Sequence, residues 1–223
     1  MLKNGLKELG FSTEKIDEML PRLELYIKEL QEFHLICHSA LGAETYEEIV
    51  SRHILDSIAP YKIIQNLIDE IKAKNGADYK IEIADVGSGN GCPGIPLSIV
   101  FPEYHFTLIE RMTKRTAFLE KEVSTIKLDN VTVSTIEVER VAQQSFDIVV
   151  FRAFSPFCKK MIRPLLRILR QGGKLASYKG TKEKTTEELE TIKEWAPEWE
   201  MVPVKVPYLT DIQRHIVVIP KAK

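Results

Sequence analysis

The chain has 223 residues, enough to bury a substantial core, and at 44% hydrophobic and 28% charged it has the balance of an ordinary globular protein. No apolar run approaches the roughly 20 residues of a membrane span, and MLKNGLKELGFSTEKIDEML alternates charge with apolar residues too evenly for a secretion signal. A formal net charge of −1 leaves no overall basic excess with which to grip nucleic acid, and three scattered cysteines offer neither a disulfide framework nor metal-ligand spacing. The expected setting is the cytoplasm, with no membrane attachment and no bound metal.

Residues 12–36 predict one long helix, with Ser12 or Thr13 as cap and Ile16, Met19, Leu20, Leu23, Ile27, Leu30 and Phe33 at helical spacing. Pro21 has to be absorbed there as a kink or an early break. After the less regular CHSALGAETY comes an amphipathic segment, EEIVSRHILDSIAP, ended by Pro60. A third, YKIIQNLIDEIKAKNG, stops at Asn75-Gly76. Three helices without a strand signal predict an N-terminal helical lobe over residues 1–76, followed by a second domain over 77–223.

From Lys80 the apolar runs IEIADV, FTLIE, NVTVSTIEV, FDIVVF and GKLASYK read as strands. Between them PGIPLSIVF, TKRTAFLEKEVSTIKL and PFCKKMIRPLLRILR suit helices, which predicts an α/β fold with a mostly parallel, doubly wound sheet covered on both faces. A polar helix, EKTTEELETIKEWA, then leads to EMVPVKVPYL and RHIVVIP. Their connection, TDIQ, is too short for a helical crossover, so these two strands should form an antiparallel C-terminal hairpin.

The loop after the first strand, DVGSGNGCPGIPL at residues 85–97, carries Gly87, Gly89 and Gly91 on alternate positions. Glycines there let a ligand meet the backbone and tolerate positive φ, and the N–H groups opening the next helix face the same space. A dinucleotide site wants G-x-G-x-x-G with the pyrophosphate on the helix N-terminus. Here the spacing is two and two, and Pro93 removes an N–H. The D-x-G-x-G-x-G form, complete from Asp85 to Gly91, instead characterises methyltransferases that use S-adenosylmethionine. Such a site calls for a carboxylate at the end of the second strand to accept from the ribose hydroxyls. Glu110 stands there; alone it would read as a surface acid at a strand end.

RHILDS (52–57), the loop with its PGIPL extension, FRAF (151–154), YKG (178–180) and RHIVVI (214–219) occur in this order. With them the chain resembles the bacterial ribosomal RNA small subunit methyltransferase G family, also called glucose-inhibited division protein B, from about Arg52 to Ile219. The resemblance implies a Rossmann-like class I methyltransferase sheet. It also implies methyl transfer from S-adenosylmethionine to N7 of one guanine in the 530 stem-loop of 16S ribosomal RNA. Carried onto matching positions, it implies donor contacts from Asp85, Gly87, Ser88, Gly89, Gly91 and Cys92, with Ile136 and Glu137 flanking the adenine. Arg152 would lie beside donor and acceptor, and Lys179 and Arg214 on the RNA side. HLICHSALGAETYEE departs from the family pattern in lacking its Asn-Leu-Thr-like run, and Cys92 stands where a bulkier residue is frequent.

Guanine N7 has an available lone pair and no proton, so the implied reaction needs no general base. A cation donating to O6 alone would orient the base and leave N7 free. Arg152 and Lys179 are the candidates, with ion pairing to Asp85, Glu110 or the donor's carboxylate as their alternative. Arg152 to Lys182 contains nine Lys or Arg and no acid, and is expected beside the site, with Lys159, Lys160 and Arg163 as RNA contacts. Arg111, Lys114 and Arg115 would extend it from the other side. Phe154 and Phe157 are candidates to stack on a base or to pack in the core. His53 reads as a packing or capping residue, and Arg52 and Asp56, four apart, as an ion pair along their helix. The expected partner is 16S RNA, naked, in a small subunit or in an assembly intermediate, engaged by a monomer. Two other readings stand: a methyltransferase acting on a small molecule or protein, which the near-neutral charge favours, and a non-catalytic RNA-binding factor, against which the loop and Glu110 argue.

Overall fold

In the computed structural model, which describes residues 1–37 (33–37 by backbone alone), 44–152 and 156–221, helices α1 (Leu2–Glu8) and α2 (Thr13–Cys37) come first. Next are α3 (Tyr46–Ile49), a π-helical stretch (Val50–Leu55) that runs directly into α4 (Asp56–Ile58), and α5 (Tyr61–Asn75). The strands are β1 (Glu82–Val86), β2 (His105–Glu110), β3 (Val131–Thr135), β4 (Phe146–Arg152), β5 (Leu169–Lys179), β6 (Glu200–Pro203) and β7 (His215–Pro220). Between them lie α6 (Gly94–Val100), α7 (Thr113–Ile126), α8 (Lys159–Ile168) and α9 (Lys182–Glu190). The strands form one sheet in the order β3-β2-β1-β4-β5-β7-β6. Its first five members are parallel, and β7 runs antiparallel to both β5 and β6. The mostly parallel sheet with an antiparallel C-terminal hairpin is thus present.

Strand alternation decides which helices lie on which face. Ile83, Leu108, Ile148, Val150 and Ile216 pack with Leu23, Tyr26, Ile27, Ile54 and Leu55 from the N-terminal helices, and with Ile95 and Leu119 from α6 and α7. Their sequence neighbours Ala84, Val86, Val149, Phe151 and Val217 face the other way, onto Met161, Ile162 and Leu165 of α8 and Leu189 of α9. Both faces are therefore covered. The C-terminal ends of the parallel strands stay open along one edge, where sheets of this type bind ligands.

Several elements differ from the sequence expectation. The helix Leu2–Glu8 was not expected as a separate element; a glycine, a poor helix former, sits at its centre, yet a Cβ on Gly5 would run into the Leu55 side chain. Pro21 lies inside α2 without ending it. The expected strand EMVPVKVPYL stops at Pro203, and Pro207 and a positive φ at Tyr208 (65°) turn the chain before β7. No helix among the described residues is long and apolar enough to cross a membrane.

Candidate active site

The glycine loop is pinned where β1 ends. The N–H groups of Gly87 and Ser88 donate to the Ile109 carbonyl of β2 (2.8 and 3.2 Å), and Gly87, Gly89 and Gly91 take φ of 72°, 57° and 93°, left-handed values that favour glycine. At Gly91 the space is occupied as well: a Cβ there would stand 2.7 Å from the Tyr26 hydroxyl. That hydroxyl donates to the Asn90 carbonyl (2.5 Å) and lies 3.5 Å from Cys92 Sγ. Asp85 is fully buried beneath the loop and accepts the Gly94 N–H at the start of α6 through Oδ2 (2.9 Å), while Oδ1 has no partner. Burial pushes its carboxyl up to about 7, against the pull of that hydrogen bond and of Arg152.

Glu110 ties the loops after β1 and β2 together. Only 4% exposed, it accepts the Gly89 N–H on Oε2 (3.1 Å) and the Met112 N–H on Oε1 (2.9 Å), with Arg115 at 3.6 Å. A carboxylate so fixed keeps unused lone pairs for two hydroxyls. Beside it a cavity of about 600 Å³ runs along the ends of β1, β2 and β3. Of the expected site residues, Gly87, Glu110, Arg111, Arg115, Ile136, Glu137 and Lys160 line it. Asp85, Ser88 and Cys92 are buried under the loop, where the Ser88 hydroxyl donates to the Asp85 carbonyl (2.9 Å) and burial raises the Cys92 thiol pKa. Met112, Val138, Glu139, Cys158 and Met161 also line the cavity and were not expected there. They come from strand-end turns and the start of α8, which carry no pattern readable before the fold is known.

A second cavity, about 510 Å³, opens farther along the same edge at the ends of β4 and β5. It brings together Arg152, Lys179 and Arg214 with Arg52, His53 and Asp56 of the RHILDS segment. The expected Arg52–Asp56 pair is absent: Arg52 lies 3.6 Å from Glu48. Asp56, 4% exposed, instead takes Arg152 Nη1 on Oδ2 (3.1 Å) and Arg214 Nε on Oδ1 (2.8 Å). Arg152 also donates to the Arg52 carbonyl (2.8 Å) and has Nη2 3.3 Å from His53 Nδ1, while His53 Nε2 faces Glu44 (2.9 Å). Tyr178 reaches the same segment, donating to the Ser57 carbonyl (2.7 Å). Lys179 is held by Glu188 (2.6 Å) and lies 3.9 Å from the centre of the Phe157 ring, and burial draws its ammonium below its ordinary pKa despite that partner. Phe157 is buried, its N–H donating to the same Glu188 oxygen (3.0 Å); Phe154 lies outside the described residues.

The basic run Arg152–Lys182 does not form one surface. Lys159, Lys160 and Arg163 are exposed around the first turns of α8, whereas Arg167 turns inward to the carbonyls of Val138, Glu139 and Val141 (3.3, 2.9 and 2.6 Å). Arg170 pairs with Asp147 (2.8 Å) and Lys174 with Glu70 (3.6 Å), at the opposite end of the sheet. Across the first cavity from α8, Arg111, Lys114 and Arg115 are exposed at the head of α7.

The sheet order, the glycine cradle, the acid at the end of β2 and the cavity beside them define a class I S-adenosylmethionine-dependent methyltransferase. The fold is shared with a SAM-dependent methyltransferase from Aquifex aeolicus (TM-score 0.55, 17% identity, covering 75% of this chain and 92% of that one). The profile of the rRNA small subunit methyltransferase G (GidB) family matches residues 19–217. Relatives named ribosomal RNA small subunit methyltransferase G are 33% identical in Treponema denticola (99% of this chain, 94% of the relative) and 35% in Klebsiella pneumoniae (98% and 96%). The chain belongs to this family. Its cofactor is S-adenosylmethionine, which the positive-φ glycines and the buried Glu110 carboxylate fit.

Proposed function

We propose that the protein transfers the methyl group of S-adenosylmethionine to N7 of a guanine in the 530 stem-loop of 16S ribosomal RNA, in the cytoplasm and as a monomer. The observation that carries the reading is the placement of two cavities on one sheet edge, one framed by the glycine loop and Glu110 and the other by Arg152 and Arg214, in a chain of this family. Gly87 and Gly89 would hold the donor against bare backbone, Glu110 its ribose hydroxyls, and Ile136 and Glu137 its adenine, with Gly91 making room for Tyr26 and Ile95 behind the loop. Asp85, Ser88 and Cys92 would shape the loop from beneath. Bound there, the donor supplies an electrophilic methyl on a sulfonium.

The acceptor base enters the second cavity in this reading. Arg152 donates to guanine O6 and leaves N7 free to attack, with Lys179 at the rim. No side chain has to remove a proton, so catalysis rests on holding the partners in line, which can contribute roughly 7–11 kcal/mol. Arg111, Lys114, Arg115, Lys159, Lys160 and Arg163 would meet the RNA backbone, with Arg214, paired to Asp56, at the wall of the acceptor cavity. A balanced overall charge suits an acceptor presented in a small-subunit particle or assembly intermediate, where ribosomal proteins add binding surface.

The test is methyl transfer from labelled S-adenosylmethionine to small-subunit particles, and to naked 16S RNA, from cells lacking the protein. Label recovered as 7-methylguanosine at one site is the expected result. Absence of label on both acceptors, with donor binding intact, would overturn the reading in favour of a small-molecule or protein acceptor.

A further inference from the structure

We infer that Asp56 is a positioning residue for methyl transfer, its two carboxylate oxygens holding Arg152 and Arg214 at the acceptor cavity. The inference rests on the proposed guanine reaction. It begins with where the three groups come from. Asp56 follows a π-helical turn on the N-terminal side of the chain, Arg152 ends β4, and Arg214 immediately precedes β7. Nothing local joins them, yet each Asp56 oxygen receives one guanidinium, at 3.1 and 2.8 Å, and the carboxylate is 4% exposed. π-Helical turns are rare and recur at functional sites.

The hydrogen-bond count on Arg152 separates a positioning role from a simple tie between elements. Both Nη1 hydrogens are used on the lobe, one on the Arg52 carbonyl and one on Asp56, and Nη2 spends one on His53 Nδ1. For Nδ1 to accept, His53 must be neutral with its proton on Nε2, which faces Glu44. Nε and the second Nη2 hydrogen have no acceptor among the described residues, and Arg152 lines the cavity. The guanidinium plane is thus set by the lobe, with two donors left over for a substrate acceptor. Without the carboxylate between them, two neighbouring guanidinium groups repel, and Arg152 loses the orientation that places a donor on O6.

The experiment measures donor affinity, and kcat and KM for small-subunit particles from cells lacking the protein, in wild type, Asp56→Asn, Asp56→Glu, Arg214→Gln and the Asp56→Asn/Arg214→Gln double variant. Asp56→Asn is expected to lower acceptor kcat/KM about ten- to a hundredfold, the scale of a displacement of about 1 Å, while the donor Kd stays within about twofold. Asp56→Glu should recover part of the loss. Arg214→Gln should reproduce a smaller version of it, and the double variant should be no worse than Asp56→Asn alone. Should Asp56→Asn not fold, the Glu and Arg214 variants carry the test by the same split. Acceptor kinetics unchanged in the variants, or donor affinity falling in step with turnover, would overturn the inference. Wild type that leaves the particles unmethylated would overturn the reading beneath it.

Discussion

Tyr26 on α2 and Asn90 in the glycine loop are joined by a 2.5 Å hydrogen bond from the tyrosine hydroxyl to the Asn90 carbonyl. The N-terminal helices thereby reach under the glycine loop and hold its backbone. Tyr26→Phe removes the donor and leaves the carbonyl without it. We expect a loss of about 1 kcal/mol in urea unfolding and a weaker donor Kd, read by titration with S-adenosylhomocysteine. An unchanged Kd would mean that the loop holds its shape without the Tyr26 hydrogen bond.

Gly91→Ala asks more of the same contact. Alanine would have to adopt φ 93° with its Cβ 2.7 Å from the Tyr26 hydroxyl. Left-handed backbone costs about 1–2 kcal/mol and overpacking about 1–3, so unfolding should show a loss of about 2–5 kcal/mol. Gly89→Ala, where the nearest atom to a new Cβ is 3.8 Å away, should carry the backbone cost alone and weaken the donor more than the fold.

Glu110→Gln keeps the shape of the residue and exchanges one acceptor for a donor. Both carboxylate oxygens face backbone N–H groups, so one of them would meet an NH₂ group. Donor affinity is expected to fall at least about tenfold, the equivalent of 1.4 kcal/mol, with the circular dichroism spectrum unchanged.

Two buried acids set a pH dependence. Asp85 is pushed up to about 7 by burial. Glu122 on α7, fully buried with no donor group on either oxygen, is pushed up to about 8 by burial and then by Glu29. Each binds its proton more tightly folded than unfolded, so its contribution to stability is full near pH 4 and is lost as pH rises through the folded pKa. Relative to wild type, Asp85→Asn should gain stability between about pH 4 and 7, and Glu122→Gln between about pH 4.5 and 8. Each slope should approach about 1.4 kcal/mol per pH unit, measured by urea unfolding at unit intervals. A difference that does not change with pH would place these carboxylates in the ionised state throughout.

Much of this architecture is legible in the sequence because burial writes a period into it. The run FDIVVF is apolar at all but one position, and IEIADV at four of six, since their strands are covered on both faces, and Asp85 to Gly91 announces its loop by backbone need. Asp56 was misread for a physical reason. Arg52 does pair four residues away, but with Glu48 on the preceding turn, while the buried Asp56 is taken by partners at 152 and 214 that no local spacing reveals. The basic run misleads in a similar way. Charge adjacent in sequence is dispersed when a helix and a strand carry it to opposite ends of a sheet.

The placement of β7 has a consequence for biosynthesis. The first cavity is lined by residues 86 to 161, but the neighbouring cavity needs Arg214, just ahead of β7, the strand that slots between β5 and β6. The residues that line the first cavity are therefore synthesised well before those that complete the second, so the two cavities depend to different degrees on the β5–β7 pairing that closes the sheet late in the chain.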